Sequence, residues 1–257
     1  MKKILDFRIV ENRHFNENYS LLLITPADYS TLPRMRPGQF VQVAIPGCGI
    51  TLRRPISICD VDVEENRLSL LVRKAGKGTT HLIGMEKGEI INIVLPLGNG
   101  FSIDGIDSGR RVILVGGGVG AAPLLYLSKA LRKKGITPTT LIGARTPADL
   151  LMIDEFSRYS DVRTSVESHD APDHCGLVTR HPILSEPFDM IYCCGPAPMM
   201  KAVAGIAKER GIECEVSLEN MMACGLGACL CCVEKTVRGN VCVCTEGPVF
   251  NINQLTW

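Results

Sequence analysis

The sequence predicts a multi-domain chain: an N-terminal antiparallel β-barrel, a doubly wound α/β domain, and a small C-terminal cysteine module. Three observations predict it. The first hundred residues hold short apolar or β-branched runs broken by Pro, Gly and Asn, without long helical patterns. Past Ser108, apolar strand patterns alternate with helical ones. Near the end, CGLGACLCC places four cysteines within nine positions. A length of 257 residues accommodates two ordinary domains and a small module, with boundaries at 1–102, 103–212 and 213–257.

The opening MKKILDFRIVENRHF has two lysines but neither an apolar h-region nor a small-residue cleavage site, so it does not read as a signal peptide. SLLLITPA, FVQVAIPG, ISICDVDV, RLSLLVRK and EIINIVLPLG then read as strands of a small barrel or sandwich. RRVILVGGGVG is an apolar strand ending in glycines, and AAPLLYLSKALRKKG follows with helical spacing and a closing Gly. TPTTLIGAR (strand), PADLLMIDEFSRY (helix), VRTSVES (strand), FDMIYCCGP (strand) and APMMKAVAGIAKERG (helix) complete the alternation. Such alternation implies a parallel sheet.

A net charge of +1 supplies no global field for nucleic acid or an anionic membrane. No apolar run is long enough to span a bilayer, so a cytoplasmic protein is expected. In that compartment the twelve cysteines are read as reduced thiols rather than a disulfide framework. Cys48, Cys59, Cys175, Cys193 and Cys214 lie scattered, and the expectation for them is that of small buried hydrophobes.

VILVGGGVGAAP satisfies G-x-G-x-x-A with Gly116, Gly118 and Ala121, and Gly120 lies in the same turn between strand and helix. Glycine lets the backbone approach a dinucleotide pyrophosphate, whose charge is met by amides at the helix start. The acidic residue usual some twenty positions on is missing. Ala144-Arg145-Thr146 stands there, which leaves NAD and NADP both open. A later strand ends in Cys194-Gly195-Pro196, and the carboxyl ends of parallel strands share one crevice.

In the first domain, LRRPISICD offers the Arg54 guanidinium as a fork for phosphate and the Ser57 hydroxyl beside it, flanking Pro55 and Ile56. LLVRKAGKGTTHL supplies Leu71, Val72 and Arg73, then Gly76, Gly78 and Thr79 at the start of a short helix. Cys224-x4-Cys229-x2-Cys232 is the plant-type [2Fe–2S] spacing, with Gly225 and Gly227 letting the backbone bend around an inorganic core. Cys231 falls outside that frame. A four-thiolate zinc site prefers paired knuckles, which this triplet fits less well. A fourth ligand comes from Cys242 or Cys244, which as residues i and i+2 of a strand face the same side.

RRPISI, the glycine loop and CGPAPMM together resemble the ferredoxin–NADP reductase superfamily, which pairs a flavin-binding barrel with a nucleotide-binding α/β domain. The run SLENMMACGLGACLCC with CTEGPVF is similar to the electron-transfer subunit of the two-subunit, NAD-dependent dihydroorotate dehydrogenases, a resemblance that spans essentially the whole chain. It implies FAD held by Arg54, Pro55, Ile56, Ser57, Leu71, Val72, Arg73, Gly78 and Thr79. It implies NAD held by Gly116, Gly118, Gly120, Cys194, Gly195 and Pro196. In that family the last cluster ligand precedes an acidic-Gly-Pro-Val-Phe segment, so the [2Fe–2S] ligands become Cys224, Cys229, Cys232 and Cys244.

A flavin exchanges either one or two electrons, so it links a nicotinamide to an iron–sulfur cluster. No paired carboxylates or triad-like set point to a separate organic substrate, so the cluster end needs a redox partner. The resemblance implies an FMN-bearing dihydroorotate dehydrogenase catalytic subunit, in a heterotetramer of two copies of each chain serving pyrimidine biosynthesis. The alternatives are a related flavin/Fe–S electron-transfer subunit working with ferredoxin, polysulfide or a larger flavoprotein, and a zinc-stabilised regulatory subunit without redox function.

Overall fold

The computed structural model describes residues 2–47 and 49–257; Cys48, expected to be a buried thiol, lies outside them. By compactness the chain divides into two units. The first holds the residues up to Gly100 together with Asn220–Glu234 and Asn240–Pro248; the second holds Phe101–Glu219, Lys235–Gly239 and Val249–Trp257. The stretch 213–257, taken from sequence as one module, is thus shared between them.

The first unit contains a closed six-stranded antiparallel barrel, as the strand signals implied. Its strands are β1 (Lys3–Asn16), β2 (Tyr19–Pro26), β3 (Phe40–Ala44), β4 (Arg54–Asp62), β5 (Arg67–Arg73) and, after helix α1 (Lys77–Ile83), β6 (Ile90–Leu97). The order around the barrel is β1-β2-β5-β4-β3-β6, with β6 returning to pair with β1. Alternation places Leu22 and Ile24 of β2, Leu68 and Leu70 of β5, and Ile91 and Ile93 of β6 in a core without solvent exposure. β1 was not anticipated. Of its fourteen residues only Phe7 and Ile9 are buried, so charged positions mask its period in the sequence.

The second unit is built on β7 (Val112–Gly117), α2 (Ala122–Lys133), β8 (Thr139–Ala144), α3 (Ile153–Ser157), β9 (Asp161–Val166), β10 (His174–Cys175), β11 (Met190–Cys194), α4 (Ala197–Arg210) and β12 (Glu213–Ser217). Hairpin strands β13 (Val233–Thr236) and β14 (Gly239–Cys242), a one-turn helix α5 (Val243–Glu246) and β15 (Val249–Asn251) follow. The sheet order β10-β9-β8-β7-β11-β12-β15 reverses direction of travel between β7 and β11, the switch point of a doubly wound fold. All its pairings are parallel except β12 with β15.

Helix α2 starts with Pro123 in its first turn and buries Leu124, Leu127, Ser128 and Leu131 at helical spacing. Helix α4 ends at Gly211, whose φ of +64° closes it in the left-handed conformation. The helix expected over 147–159 is shorter than its pattern suggested. A 3-10 turn covers Pro147–Asp149, Met152 adopts φ +58°, and α3 begins only at Ile153, because a left-handed residue cannot continue a right-handed helix. Cys59, Cys193 and Cys214 are buried as expected, but Cys175 is exposed, on the two-residue edge strand β10.

Candidate functional site

The predicted flavin residues lie along one break in the barrel wall. Register pairs β3 with the first half of β4: Phe40 with Ser57, Val41 with Ile56, Gln42 with Pro55 and Val43 with Arg54. On its other edge β4 meets β5 only from Ile58 onward, where Ile58 faces Leu70. Leu71, Val72 and Arg73 pair instead with Leu21, Ser20 and Tyr19 of β2. The edges of 54–57 and 71–73 therefore splay apart, with Arg54, Pro55, Ile56 and Ser57 half-buried and Arg73 exposed. Unpaired strand edges offer backbone donors and acceptors to a ligand.

Gly78 closes one end of this opening. A Cβ there would stand 3.1 Å from Nε of Arg54 and 3.0 Å from Cδ1 of Ile45, so any larger residue would have to push those side chains aside. The Thr79 hydroxyl accepts the backbone N–H of Ala75 at 2.8 Å and of Gly76 at 3.1 Å, which fixes the turn before the helix. Arg54 donates to the carbonyls of Leu52 and Arg53 at 2.9 and 3.3 Å. Arg53 plays a different part, donating to the Asn92 carbonyl at 3.0 Å and to the Gln42 carbonyl at 3.3 Å.

In the α/β unit the glycine loop and the later turn meet at the switch point. A Cβ on Gly120 would lie 2.5 Å from the Cys194 carbonyl oxygen and 2.6 Å from Cα of Gly195. One on Gly117 would lie 2.6 Å from Sδ of Met199. A Cβ on Gly116 would stand 3.1 Å from Cδ1 of Ile142 and of Leu124, and Gly118 adopts φ +54°. Gly116, Gly118, Gly120, Cys194, Gly195 and Pro196 thus form one compact rim at the carboxyl ends of β7 and β11, where open α/β sheets bind ligands. The Cys194 side chain itself is buried, and burial pushes its thiol well above the ordinary range, so the residue presents backbone rather than sulfur. Arg145, exposed just beyond β8, occupies the place of the missing acid.

The cysteines gather against the barrel. Gly225 and Gly227 hold φ of +70° and +84°, which curls the chain so that its amides point at sulfur. Leu226 N–H donates to Cys224 Sγ at 3.3 Å, Gly227 N–H to Cys244 Sγ at 3.2 Å, and Cys244 N–H to Cys232 Sγ at 3.4 Å. The Leu226 amide, helped by Cys229 and Ala228, draws the Cys224 thiol down to about 6. Burial and the neighbouring Cys232 push Cys244 up to about 12. Cys242 belongs to the same neighbourhood, but its thiol faces the Gly227 carbonyl at 4.0 Å, and burial raises it too. Cys229 and Cys231 are exposed.

This donor set suits an iron–sulfur core. Amide donors aimed at three of the sulfurs favour thiolates, which such a core requires. Among the described residues no three His, Cys, Asp or Glu side chains are grouped to hold a single metal ion; a two-iron core spreads its four ligands over two metal centres, so they need not converge on one point.

Two supports escaped the sequence reading. Asn99, within PLGNGF, donates its side-chain N–H groups to the Thr245 and Glu246 carbonyls at 3.1 and 3.0 Å, clamping the segment that carries Cys244. Gln42, fully buried on β3, lies against Gly225; a Cβ there would stand 2.8 Å from its Cγ. Its polar position in an otherwise apolar strand was the only trace it left.

Residues 219–256 match the family model described as the iron–sulfur cluster binding domain of dihydroorotate dehydrogenase B, and residues 114–205 match the oxidoreductase NAD-binding domain. The chain is 38% identical over 225 residues to a Geobacillus sp. (strain WCH70) protein named dihydroorotate dehydrogenase B (NAD(+)), electron transfer subunit, covering 85% of this chain and 86% of that one. A Bacillus cereus (strain Q1) protein of the same name is 36% identical over 234 residues, with the same coverage. Among solved structures, one described as an NADH-dependent reduced ferredoxin-NADP oxidoreductase superposes with a TM-score of 0.85 at 31% identity, covering 97% of this chain and 89% of that one. The Amycolatopsis cytochrome P450 reductase GcoB shares the fold, with a TM-score of 0.70 at 24% identity over 81% of this chain and 66% of that one.

Proposed function

The chain belongs to the family of dihydroorotate dehydrogenase B (NAD(+)) electron transfer subunits, and from that premise we propose how its residues divide the work. It passes electrons from a dihydroorotate dehydrogenase catalytic subunit, through a [2Fe–2S] cluster and FAD, to NAD⁺. When bound, the flavin supplies the exchange between single electrons and a hydride. The observation that carries this reading is the neighbourhood of cysteine loop and flavin edge: Gly225 packs on Gln42, and Gln42 is in register with Pro55.

The geometry supports the following division of roles. Residues 1–102 hold FAD, with Arg54 meeting phosphate, Pro55, Ile56 and Ser57 lining the open strand edge, and Leu71, Val72, Arg73, Gly78 and Thr79 forming its opposite side. Residues 103–212 hold NAD, with Gly116, Gly118 and Gly120 receiving the pyrophosphate and Cys194, Gly195 and Pro196 closing the rim. Within 213–257, Cys224, Cys229, Cys232 and Cys244 hold the cluster. Cys244 rather than Cys242 is chosen because its sulfur accepts an amide, whereas Cys242 faces a carbonyl.

Met221, Leu226 and Leu230 stand 82%, 50% and 63% exposed around these thiols, an apolar rim suited to the FMN-bearing partner subunit. The assembly is a heterotetramer of two copies of each chain. Cys224→Ser tests the reading: NADH should still reduce the bound flavin, while turnover linked to the catalytic subunit stops. Equal loss of both activities would refute this order of carriers.

A further inference from the structure

Gln42 is the most conspicuous polar side chain that the assigned roles leave without work. It is fully buried, and both its Oε1 and its Nε2 lack a hydrogen-bond partner among the described residues. Along β3, side chains alternate: Val41 and Val43 fall on one face, Phe40 and Gln42 on the other. The second face is the one covered by the cysteine region. The Phe40 ring comes within 2.9 Å of the Cβ position of Gly98, which is itself 2.6 Å from Cδ of Pro248. The Cβ position of Gly225 lies 2.8 Å from Cγ of Gln42 and 2.9 Å from its Nε2. The burial of this amide is therefore caused by the loop that begins at Cys224.

An amide sealed under a loop without a partner is costly, and an aliphatic residue would fill the space without that cost. The chemistry that satisfies it lies beside residue 225. The sulfurs of a cluster held by Cys224 accept N–H donors, and such bonds tune cluster potentials.

We propose that the side-chain amide of Gln42 donates a hydrogen bond to a sulfur of the [2Fe–2S] cluster, either the Cys224 thiolate or a bridging sulfide. It is a positioning residue, resting on the electron-transfer reading above. One-electron reduction adds negative charge to the cluster, and a donor holds the more negative state more strongly. Gln42 thus raises the cluster potential. The backbone of the same residue is anchored toward the flavin side, through its register with Pro55 and the Arg53 guanidinium on its carbonyl.

The test is a potentiometric titration of the holoprotein followed by EPR, comparing the unmodified chain with Gln42→Leu. Removing the donor should lower the reduced-to-oxidised ratio of the cluster at fixed potential about tenfold, ~59 mV for one electron. Flavin content, flavin potential and NADH affinity should not move. A loaded Gln42→Leu protein with an unchanged cluster potential overturns the proposal, as does a shift confined to the flavin.

Should Gln42→Leu fail to take up iron, the unmodified protein decides the matter. The sequence has only three glutamines, and Gln39 already donates its amide to the Gly98 carbonyl at 2.8 Å. Glutamine labelled with ¹⁵N at the side-chain amide should show a nitrogen coupling to the reduced cluster by pulsed EPR. Its absence overturns the proposal. An unmodified protein that binds flavin but no iron after anaerobic reconstitution would instead undo the electron-transfer reading, and this inference with it.

Discussion

Gly120 in the nucleotide loop has no room for a Cβ because the Cys194 carbonyl oxygen stands 2.5 Å from where it would sit. In the cysteine loop, Gly225 and Gly227 are required for another reason: their φ angles of +70° and +84° belong to the left-handed region. The first loop takes its shape from the strand beside it, so it is formed before any ligand arrives. The second is a curl whose flanks, Leu226 and Leu230, are 50% and 63% exposed, and whose sulfurs are the groups that a metal core would tie together. Preorganisation by packing thus serves the nucleotide end, and ligand-completed order serves the cluster end.

The strongest way to break this comparison is Gly120→Val. The obstructing atoms are backbone, Cys194 carbonyl and Gly195 Cα, and cannot swing aside as a side chain would. The kcat/KM for NADH should fall by about two orders of magnitude, ~2.7 kcal/mol of lost transition-state stabilisation. The EPR signal of the dithionite-reduced cluster should persist. Loss of cluster from this variant would mean that the two loops are not independent.

Gly225→Ala comes next. Left-handed φ costs a residue with a Cβ about 1–2 kcal/mol, and the opposing Gln42 side chain can yield part of its 2.8 Å contact. Retention of iron under competition with a chelator should drop about tenfold, while NADH-dependent flavin reduction stays intact. Removing the iron altogether sharpens the contrast. Amide hydrogen exchange should accelerate over 224–232 and remain unchanged over 112–121, because only the first stretch relies on metal for its order.

How far these ends were legible beforehand follows from the same distinction. The glycine motif and the x4/x2 cysteine spacing are local, so a sequence shows them directly. Closure of the barrel by β1 was not visible, since that strand buries only Phe7 and Ile9 among charged neighbours. The long helix read over 147–159 failed at Met152, where a single left-handed residue outweighs the apolar period around it. Gln42 is a single polar residue in the apolar run FVQVAIPG, and what covers it arrives 183 positions later with Gly225. Asn99 likewise clamps Thr245 and Glu246 across a separation that no local pattern encodes. Distance along the chain, not subtlety of chemistry, hid these contacts.

The smallest expected effect concerns Cys242, which on the proposed ligand set crowds the cluster without holding it. Cys242 and Cys244 lie two residues apart, and both sulfurs lie near Cys232. Burial raises both thiols, but their hydrogen bonds differ in sense. Cys244 is fully buried, but its sulfur accepts the Gly227 N–H at 3.2 Å, a bond that favours the thiolate against the pull of burial. Cys242 points at the Gly227 carbonyl at 4.0 Å, which repels a thiolate and tolerates a thiol. Serine in place of Cys242 keeps a donor toward that carbonyl, so Cys242→Ser should alter stability by no more than about 0.5 kcal/mol and leave iron content and the EPR spectrum unchanged. Cys244→Ser should lose the cluster, or yield one with shifted g-values from oxygen ligation. If the two variants exchanged these outcomes, the fourth ligand would be Cys242, and amide donation to sulfur would no longer mark the residues that carry the iron.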